Sequence, residues 1–219
     1  MVRCCIFDLD GTILNTLTTI TYYINRTLIL HGLPPASEEE VIGYVGNGAK
    51  NLISKTLFAR GITNEKYVSE FYNIYEAAYD NAPGYLTEPY EGIRELLTNL
   101  KASGIKVAVL SNKPDFATVG AARDAFGDLI DIVHGGRDGI ALKPAPEGIF
   151  ALLSELGATK DECVYIGDSE VDVKTSINAE IEGFIAVTWG FRTREQLCEA
   201  GARYFADTVA ELEGFIFSR

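Results

Sequence analysis

Polar residues that could carry out chemistry follow three short apolar runs of this chain. They are Asp8, Asp10, Gly11 and Thr12 after the first run, Ser111 and Asn112 after the second, and Asp168, Ser169 and Asp172 after the third. Apolar runs of this length predict buried strands. Because ligands of an open parallel sheet bind beyond the carboxyl ends of its strands, we expect these residues to share one site. Lys143, which precedes the third run, would add a positive charge.

Three carboxylates dominate the predicted site. Asp8 and Asp10 are two positions apart, so both side chains leave an extended backbone on one side, and Gly11 permits the tight turn that follows. Asp168 arrives from another strand. Carboxylates this close repel one another unless a cation neutralises them. An oxygen-only set of ligands, with no histidine or cysteine nearby, predicts a hard ion such as Mg²⁺.

The remaining polar groups suit a phosphoryl group. Ser111 offers a hydroxyl, Asn112 an amide and Lys143 a compact positive charge. A carboxylate such as Asp8 can act as a nucleophile and form an aspartyl phosphate. Asp10 could then serve as general acid toward the leaving oxygen and as base toward water. The residues therefore predict phosphoryl transfer from a small phosphorylated metabolite.

Four motifs in this order resemble those of the haloacid dehalogenase superfamily. They are Asp8-x-Asp10-Gly11-Thr12, Ser111-Asn112, Lys143-Pro144 and Gly167-Asp168-Ser169-x-x-Asp172. Each motif alone is common, but four in order at strand ends are a specific signal, and the resemblance spans the whole chain. It implies that Asp8 is the nucleophile and a metal ligand. It also implies that Asp10 is the acid and base and binds the metal through its backbone carbonyl.

The same resemblance implies roles for the other residues. Ser111 and Lys143 would hold the phosphoryl group, with Asn112 beside them, and Asp168 would ligate Mg²⁺. The residues expected around the metal ligands are Gly11, Thr12, Ser169 and Asp172, the last of which would orient them. Dehalogenases of the superfamily lack the second aspartate of the first motif. The presence of Asp10 therefore favours a phosphatase.

Strand-like and helix-like segments alternate through most of the chain. The apolar runs that predict strands lie at 3–7, 105–110, 131–134, 163–166 and 184–187, with an edge strand at 204–205. Near-continuous apolar strands indicate a sheet covered on both faces, and hence a doubly wound, Rossmann-like α/β fold with a parallel sheet. The resemblance implies the order 5-4-1-2-3 for the first five strands, counted along the chain.

One long segment contains no strand pattern. Its periodicity predicts four helices, at 16–31, 38–45, 49–60 and 65–81. Ser37 and Glu40 have the spacing of a capping box at the start of the second helix. The fourth helix carries an aromatic stripe that includes Phe71, Tyr72 and Tyr75, which we interpret as packing.

These helices predict an inserted cap. We expect an all-helical cap domain at 16–87 and an α/β core formed by residues 1–15 and 88–219. The hinges would lie near 14–17 and 82–90, where Pro and Gly residues are typical of a flexible crossing.

Further motifs resemble the phosphoglycolate phosphatase branch of the superfamily. They are Val45-Gly46-Asn47-Gly48-Ala49, Ser111-Asn112-Lys113-Pro114 and Leu142-Lys143-Pro144-Ala145-Pro146-Glu147. The candidates for substrate contact from the cap are Gly46, Asn47, Gly48 and Lys50. The chain departs from the pattern at Asn15, where many members have aspartate. Because Asn15 lies at the predicted hinge, this change bears on cap closure or substrate choice.

The motifs and the resemblance predict a Mg²⁺-dependent phosphatase, with 2-phosphoglycolate as the first-choice substrate. Pyrophosphatase, sugar-phosphate phosphatase, nucleotide phosphatase and β-phosphoglucomutase stay open, because the motifs handle only the phosphoryl group. Outside the enzymes, a phospho-acceptor signalling module uses similar residues, but such modules lack the helical insert and are much shorter than 219 residues.

Composition sets outer limits on function. The formal net charge of −12 disfavours binding to nucleic acid or to an anionic membrane surface. No apolar stretch approaches the length of a membrane helix, and an acidic residue comes too early for a signal peptide. The four cysteines are expected to be buried free thiols in a reducing cytoplasm. Nothing in the sequence sets the oligomeric state.

Overall fold

The computed structural model of the chain describes residues 1–80, 85–137 and 139–219; residues 82–84 of the predicted second hinge lie outside these ranges. The strands are β1 (Cys4–Phe7), β2 (Leu14–Asn15), β3 (Glu88–Pro89), β4 (Lys106–Pro114), β5 (Ile132–Gly136), β6 (Cys163–Gly167), β7 (Phe184–Val187) and β8 (Phe205–Ala206). The α-helices are α1 (Leu17–Leu30), α2 (Glu38–Ile42), α3 (Ala49–Phe58), α4 (Glu65–Asp80), α5 (Ile93–Ala102), α6 (Asp115–Phe126), α7 (Glu147–Leu156), α8 (Glu170–Asn178), α9 (Arg194–Ala200) and α10 (Val209–Phe217). Among the described helices, none combines the length and the apolar character that a bilayer crossing requires.

A parallel sheet of six strands forms the centre of the core. Its order is β5-β4-β1-β6-β7-β8, so β1 lies between β4 and β6. Ile6 of β1 pairs in parallel with Ala108 on one side and with Tyr165 on the other. The predicted doubly wound α/β fold is confirmed. The predicted order of the first five strands is also confirmed, these being β1, β4, β5, β6 and β7. The predicted edge strand is β8.

Helices cover both faces of the sheet. Cys5 and Phe7 of β1 pack in one cluster with α5, α6 and α10, whereas Cys4 and Ile6 pack in another with α7, α8 and α9. Successive strand residues alternate between the faces, so adjacent cysteines enter different clusters. The cysteines are free, as predicted, but Cys198 is exposed. The expectation of four buried thiols was therefore wrong for Cys198, which occupies the outer side of α9.

The four helices of the predicted cap pack on one another. A third apolar cluster joins Ile24 and Leu28 of α1 to Ile53 of α3 and Phe71 of α4. The predicted helices are present, but α2 ends at Ile42, before the predicted end at 45. Residues 43–46 form turns there instead.

The predicted capping box of α2 is only half formed. Ser37 Oγ accepts the backbone N–H of Glu40 at 3.1 Å, as expected for an N-cap. The Glu40 carboxylate instead accepts a hydrogen bond from Arg60 Nη1 at 2.7 Å. Glu40 therefore forms an ion pair with Arg60, which follows α3, in place of the predicted hydrogen bond to the backbone of the N-cap residue.

A small antiparallel sheet lies where the chain leaves and re-enters the core. Leu14 of β2 pairs with Pro89 of β3, and Asn15 pairs with Glu88. Strands of two residues leave no periodicity in a sequence, so the pattern did not predict them. We propose the boundary between core and cap at this pair, at 15/16 and 87/88. Asn15 is exposed there.

Strand β4 is longer than its apolar run. It continues from Leu110 to Pro114, with a shift in its register against β5 between these residues. The polar residues Ser111, Asn112 and Lys113 therefore lie on an irregular strand end, whereas the sequence predicted that they follow the strand. Such irregularities re-aim side chains and are common beside active sites.

Replacement of Leu97 by Ala should lower the free energy of unfolding by about 2–4 kcal/mol, because it leaves a cavity in the core. Leu97 lies on α5 and is fully buried. Leu30→Ala on α1 is the matched control, since Leu30 is 70% exposed, and a change within about 0.5 kcal/mol is expected. Urea denaturation followed by circular dichroism measures both. Equal losses would contradict the packing described.

Candidate active site

Three neighbouring strands bring the predicted site residues to one edge of the sheet. Asp8 follows β1, Ser111 lies near the end of β4, and Asp168 follows β6. Because these strands are adjacent and parallel, their carboxyl ends meet, and the three side chains line one cleft. Cap residues from α1, α3 and α4 line the same cleft. The site therefore lies between the sheet edge and the cap helices.

Close backbone approach shapes the loops of the site. The Leu9 N–H donates to Asp8 Oδ1 at 2.7 Å, which orients that carboxylate. Gly11 has a φ of +87°, and a Cβ at this position would lie 2.4 Å from Asp168 Oδ2. A Cβ on Gly190, in the loop after β7, would also lie 2.4 Å from Asp168 Oδ2. Only glycine allows both loops to approach Asp168 this closely.

Lys143 links two carboxylates. Its Nζ lies 2.8 Å from Asp8 Oδ1 and 2.7 Å from Asp172 Oδ1. Burial acts to lower the pKa of Lys143, but the two carboxylates outweigh burial and raise it. Lys143 therefore carries its positive charge beside Asp8.

Asp172 has the most hydrogen-bond donors of the buried carboxylates. Its Oδ1 accepts from the Tyr165 hydroxyl at 2.5 Å, and its Oδ2 accepts from Ser169 Oγ at 2.5 Å. Burial would raise the pKa of Asp172, but Lys143 and these hydroxyls hold it below its ordinary value. Asp172 is therefore ionised. Ser169 also caps α8, so one residue orients both the helix and the carboxylate.

Asp168 and Asp8 hold their protons more tightly. Thr12 Oγ1 donates to Asp168 Oδ1 at 2.9 Å, and the Phe191 N–H donates to Oδ2 at 2.7 Å. Burial, followed by repulsion from Asp172, raises the pKa of Asp168 to about 7. Burial and Asp172 also raise the pKa of Asp8, against the attraction of Lys143. Both shifts have the sign expected of carboxylates that lack a neutralising charge.

The charge balance of this group fits a divalent cation. Carboxylate oxygens of Asp8, Asp168 and Asp172 all lie within 4.8 Å of one another. Three ionised carboxylates beside the single ammonium of Lys143 leave two negative charges in excess. The donors are oxygens only, as a hard ion such as Mg²⁺ prefers. Asp8 and Asp168 are predicted ligands; the carbonyl of Asp10 as a ligand stays a prediction.

The Asp10 side chain lies apart from the other carboxylates and has its own cation. Lys113 Nζ donates to Asp10 Oδ1 at 2.9 Å, and both residues line the cleft. Lys113 was noted only as part of a motif. Its spacing of two from Ser111 is a signal that could have identified it, because side chains at i and i+2 leave a strand on the same side.

Ser111 and Asn112 both line the cleft but differ in their available groups. Asn112 Nδ2 donates to Lys143 O at 2.8 Å and to Gly46 O at 3.0 Å, and Asn112 Oδ1 accepts the Lys143 N–H at 2.8 Å. These bonds occupy the Asn112 amide. We therefore expect Asn112 to position Lys143, and we do not expect its side chain to bind phosphate as predicted. Ser111 is 4% exposed, and its Oγ accepts a hydrogen bond from the Lys113 N–H at 3.2 Å, which leaves the hydroxyl able to donate.

Two of the four cap candidates reach the cleft. Gly46 and Gly48 line it, whereas Asn47 and Lys50 are not among its lining residues. Lys50 Nζ lies 5.5 Å from the centre of the Tyr72 ring, and Lys50 lines a second groove, formed by residues of α3, α4 and the turns beside them. Contact of Asn47 or Lys50 with substrate therefore has no support from the cleft's geometry.

One wall of the cleft comes from α4. Tyr72, Tyr75, Glu76 and Tyr79 line it, and the Tyr72 hydroxyl donates to Glu76 Oε1 at 2.6 Å. The sequence interpretation of the aromatic stripe as packing is correct for Phe71, which is fully buried in the cap. That interpretation did not predict that tyrosines of α4 line the cleft. With 3.6 residues per turn, they lie on the helix face next to that of Phe71.

Arg192 joins the core to the cap. Its Nη1 donates to Ile42 O at 3.0 Å, and its Nη2 donates to Val45 O at 2.8 Å. Its Nε donates to Glu170 Oε2 at 2.7 Å, so a core carboxylate holds the guanidinium in place. No local pattern separates such a residue from a surface arginine, because its acceptors are backbone carbonyls distant in sequence.

Comparison with known proteins identifies the relatives of this chain. The sequence profile of the haloacid dehalogenase-like hydrolases matches residues 5–187. A phosphoglycolate phosphatase of Cereibacter sphaeroides is 35% identical over 190 residues, which cover 85% of each chain. One of Haemophilus influenzae is 31% identical over 218 residues, which cover 94% of each chain.

Solved structures give the same assignment. A candidate phosphoglycolate phosphatase of Lactobacillus delbrueckii subsp. bulgaricus aligns with a TM-score of 0.92 and 32% identity, over 98% of each chain. CbbY of Rhodobacter sphaeroides, determined in complex with phosphate, aligns with a TM-score of 0.79 and 22% identity, over 97% of this chain and 96% of that one. At that identity, CbbY is similar in fold alone.

Asp168→Asn should reduce the loss of stability that the metal-free protein undergoes as the pH rises. The unfolded Asp168 carboxyl ionises near pH 4, whereas the pKa of the folded one is about 7. Between these values the folded state binds more protons, so the stability of the metal-free protein falls as pH rises. We expect the wild-type Tm to fall from pH 5 to pH 8 and to rise on addition of Mg²⁺ at pH 8.

Asp168→Asn should show a smaller fall and little response to Mg²⁺, measured by differential scanning fluorimetry. The control is Asp161→Asn, since Asp161 is exposed. If the Asp168 variant retained both wild-type responses, the buried carboxylate group would not be the binding site.

Proposed function

This chain belongs to the haloacid dehalogenase-like hydrolases and is a phosphatase, and we propose that it is Mg²⁺-dependent and hydrolyses small phosphomonoesters through an aspartyl phosphate on Asp8. The observation that carries this proposal is the orientation of the Asp8 carboxylate. Both the Leu9 N–H and Lys143 Nζ bond to its Oδ1. Oδ2 has no such bond within the described residues, which supports it as the attacking oxygen.

Two half-reactions follow from this arrangement. Oδ2 of Asp8 attacks phosphorus as the bond to the leaving oxygen breaks, and the Asp10 carboxyl gives that oxygen a proton. Asp10 then takes a proton from water as the water oxygen attacks phosphorus. The bond to Asp8 breaks, and phosphate is released. The Lys143 ammonium and the Ser111 hydroxyl offset the charge on the phosphoryl oxygens.

The metal has a defined place in this proposal. Asp8, Asp168 and the backbone carbonyl of Asp10 would hold Mg²⁺, which when bound neutralises charge on the phosphoryl oxygens. Ser169 donates to Asp172, and Asp172 is connected to Asp8 through Lys143, which contacts both carboxylates. The free cysteines support a reducing, cytoplasmic setting.

The first candidate substrate is 2-phosphoglycolate. Its support is the name of the relatives at 31% and 35% identity. The cap wall of the cleft supports a small substrate, since the cap covers the phosphoryl site. Pyrophosphate, nucleotides and the mutase reaction share the same phosphoryl chemistry, and no observation favours them.

A sugar phosphate is the second candidate, and a cap residue favours it. The Glu76 carboxylate lines the cleft, and in the part of the chain that the structure describes it accepts one side-chain hydrogen bond, from Tyr72. The cationic side chains that line the described cleft, Lys113, Lys143 and Arg192, are each paired with a carboxylate. A carboxylate with spare acceptor capacity suits hydroxyl groups and repels a second anion.

Asp8→Asn should lower kcat by at least about 10³-fold, because an amide cannot replace the nucleophile. The measurement is p-nitrophenyl phosphate hydrolysis with Mg²⁺ and with EDTA. Asp124→Asn is the control, since Asp124 is an exposed residue of α6, and it should keep wild-type activity and lose it only with EDTA. Substantial turnover by the Asp8 variant would exclude Asp8 as nucleophile.

Glu76→Gln should change substrate preference without changing the phosphoryl chemistry. We expect kcat/KM for 2-phosphoglycolate to rise relative to that for a hexose phosphate by about 5–10-fold, roughly 1–1.4 kcal/mol, since a repulsive charge is removed. A panel of phosphorylated metabolites measures the ratio, with p-nitrophenyl phosphate as reference. If the ratio does not change, and 2-phosphoglycolate is the better substrate of both the wild type and the variant, the sugar phosphate is excluded and 2-phosphoglycolate stays the candidate substrate.

A further inference from the structure

The mechanism above leaves one buried cation of the cleft without a role. Lys113 Nζ donates to Asp10 Oδ1 at 2.9 Å and to the Tyr79 hydroxyl oxygen at 2.8 Å. The side chains of Lys113 and Asp10 are 8% and 13% exposed. Lys113 belongs to the core strand β4, and Tyr79 belongs to the cap helix α4. One ammonium group therefore joins the proposed acid and base to the cap.

We propose that Lys113 is a positioning residue that aligns Asp10 for proton transfer when α4 covers the cleft. The proposal rests on the proposed function, because it takes Asp10 to be the acid and base of that reaction. It adds a residue to which neither the motifs nor the comparisons give a role. It also makes the alignment of Asp10 depend on the position of the cap.

The first step of the argument concerns the freedom of the Asp10 carboxylate. The terminal torsion of an aspartate is broad, so an unheld carboxylate samples many orientations. In the part of the chain that the structure describes, Lys113 is the side chain that donates a hydrogen bond to the Asp10 carboxylate. The bond to Oδ1 leaves Oδ2 for the leaving oxygen and then for water. Small errors in such alignment cost large factors in rate.

The second step concerns the cap. Tyr79 is 3% exposed, and its ring centre lies 4.8 Å from that of Tyr23 and 5.7 Å from that of Tyr75. The Lys113 ammonium also lies 4.6 Å from the centre of the Tyr79 ring. Tyr79 therefore moves with the cap, and its hydroxyl and ring face both hold Lys113. Withdrawal of α4 would remove both contacts and admit water to the Lys113–Asp10 pair.

The test uses the proton requirement of the leaving group. An alkyl alcohol needs a proton from Asp10 as it leaves, whereas p-nitrophenolate leaves without one. Lys113→Met should therefore lower kcat/KM for glycerol 2-phosphate by about 10-fold more than kcat/KM for p-nitrophenyl phosphate. The ratio of kcat/KM values is used because it reports the steps up to formation of the aspartyl phosphate. Loss of folding or of cap packing alone would lower both values equally.

Two further variants test the Lys113–Tyr79 contact and the Lys113–Asp10 contact separately. Tyr79→Phe keeps the ring and removes only the hydroxyl, so it should shift the same ratio in the same direction by about two- to fivefold. In an Asp10→Asn background, Lys113→Met should change kcat/KM for glycerol 2-phosphate by less than about twofold, since the residue acts through Asp10. Lys55→Met is the control, because Lys55 lies over Tyr44 and is not among the residues that line the cleft.

The outcomes separate the two proposals. Equal losses on both substrates in Lys113→Met, or additive losses with Asp10→Asn, would overturn the role of Lys113 and leave the phosphatase mechanism intact. A wild-type protein that hydrolyses neither substrate with Mg²⁺ would overturn the proposed function itself. If Lys113→Met does not fold, as judged by its thermal unfolding, Tyr79→Phe decides the question by the same ratio.

Discussion

The organisation of the site depends on one constraint: three carboxylates are buried beside a single ammonium group. Carboxylate oxygens of Asp8, Asp168 and Asp172 lie within 4.8 Å of one another, and Lys143 Nζ pairs with those of Asp8 and Asp172. In a medium of low dielectric constant, an unneutralised carboxylate is strongly unfavourable unless donors or counterions surround it. Asp172 has enough donors to stay ionised, whereas the pKa values of Asp8 and Asp168 are raised. The site is therefore prepared for a cation at a cost in stability of the metal-free protein.

The surrounding loops serve this group of charges. Gly11 and Gly190 bring backbone against Asp168, and the Phe191 N–H and the Thr12 hydroxyl then donate to it. The two donors come from separate segments of the chain, the loops that follow β1 and β7. A central strand with parallel neighbours on both sides is the arrangement that makes such convergence possible. The sheet order is thus directly linked to the chemistry of the site.

The cap contributes more than a cover. Arg192, Asn112 and Lys113 of the core each bond to a cap group, and each also contacts a residue of the phosphoryl site or its neighbouring loops. Movement of the cap would therefore alter the hydrogen bonding of Asp10 and of the segment that carries Lys143. In the proposed mechanism, these hydrogen bonds would couple the position of the cap to the chemistry, as expected where a lid excludes water from a reaction.

The sequence by itself determined the α/β class, because buried parallel strands give apolar runs. The resemblance of its four motifs implied the family and the order of the first five strands. The sequence also predicted Asp8, Asp168 and Lys143, which the structure brings together in one cleft. Only the tertiary structure decided the partners of Lys113 and Arg192, since Tyr79 and the carbonyls that accept from Arg192 lie in the cap helices and turns, far away in the sequence. Pairing between distant segments depends on packing, and local patterns do not encode it.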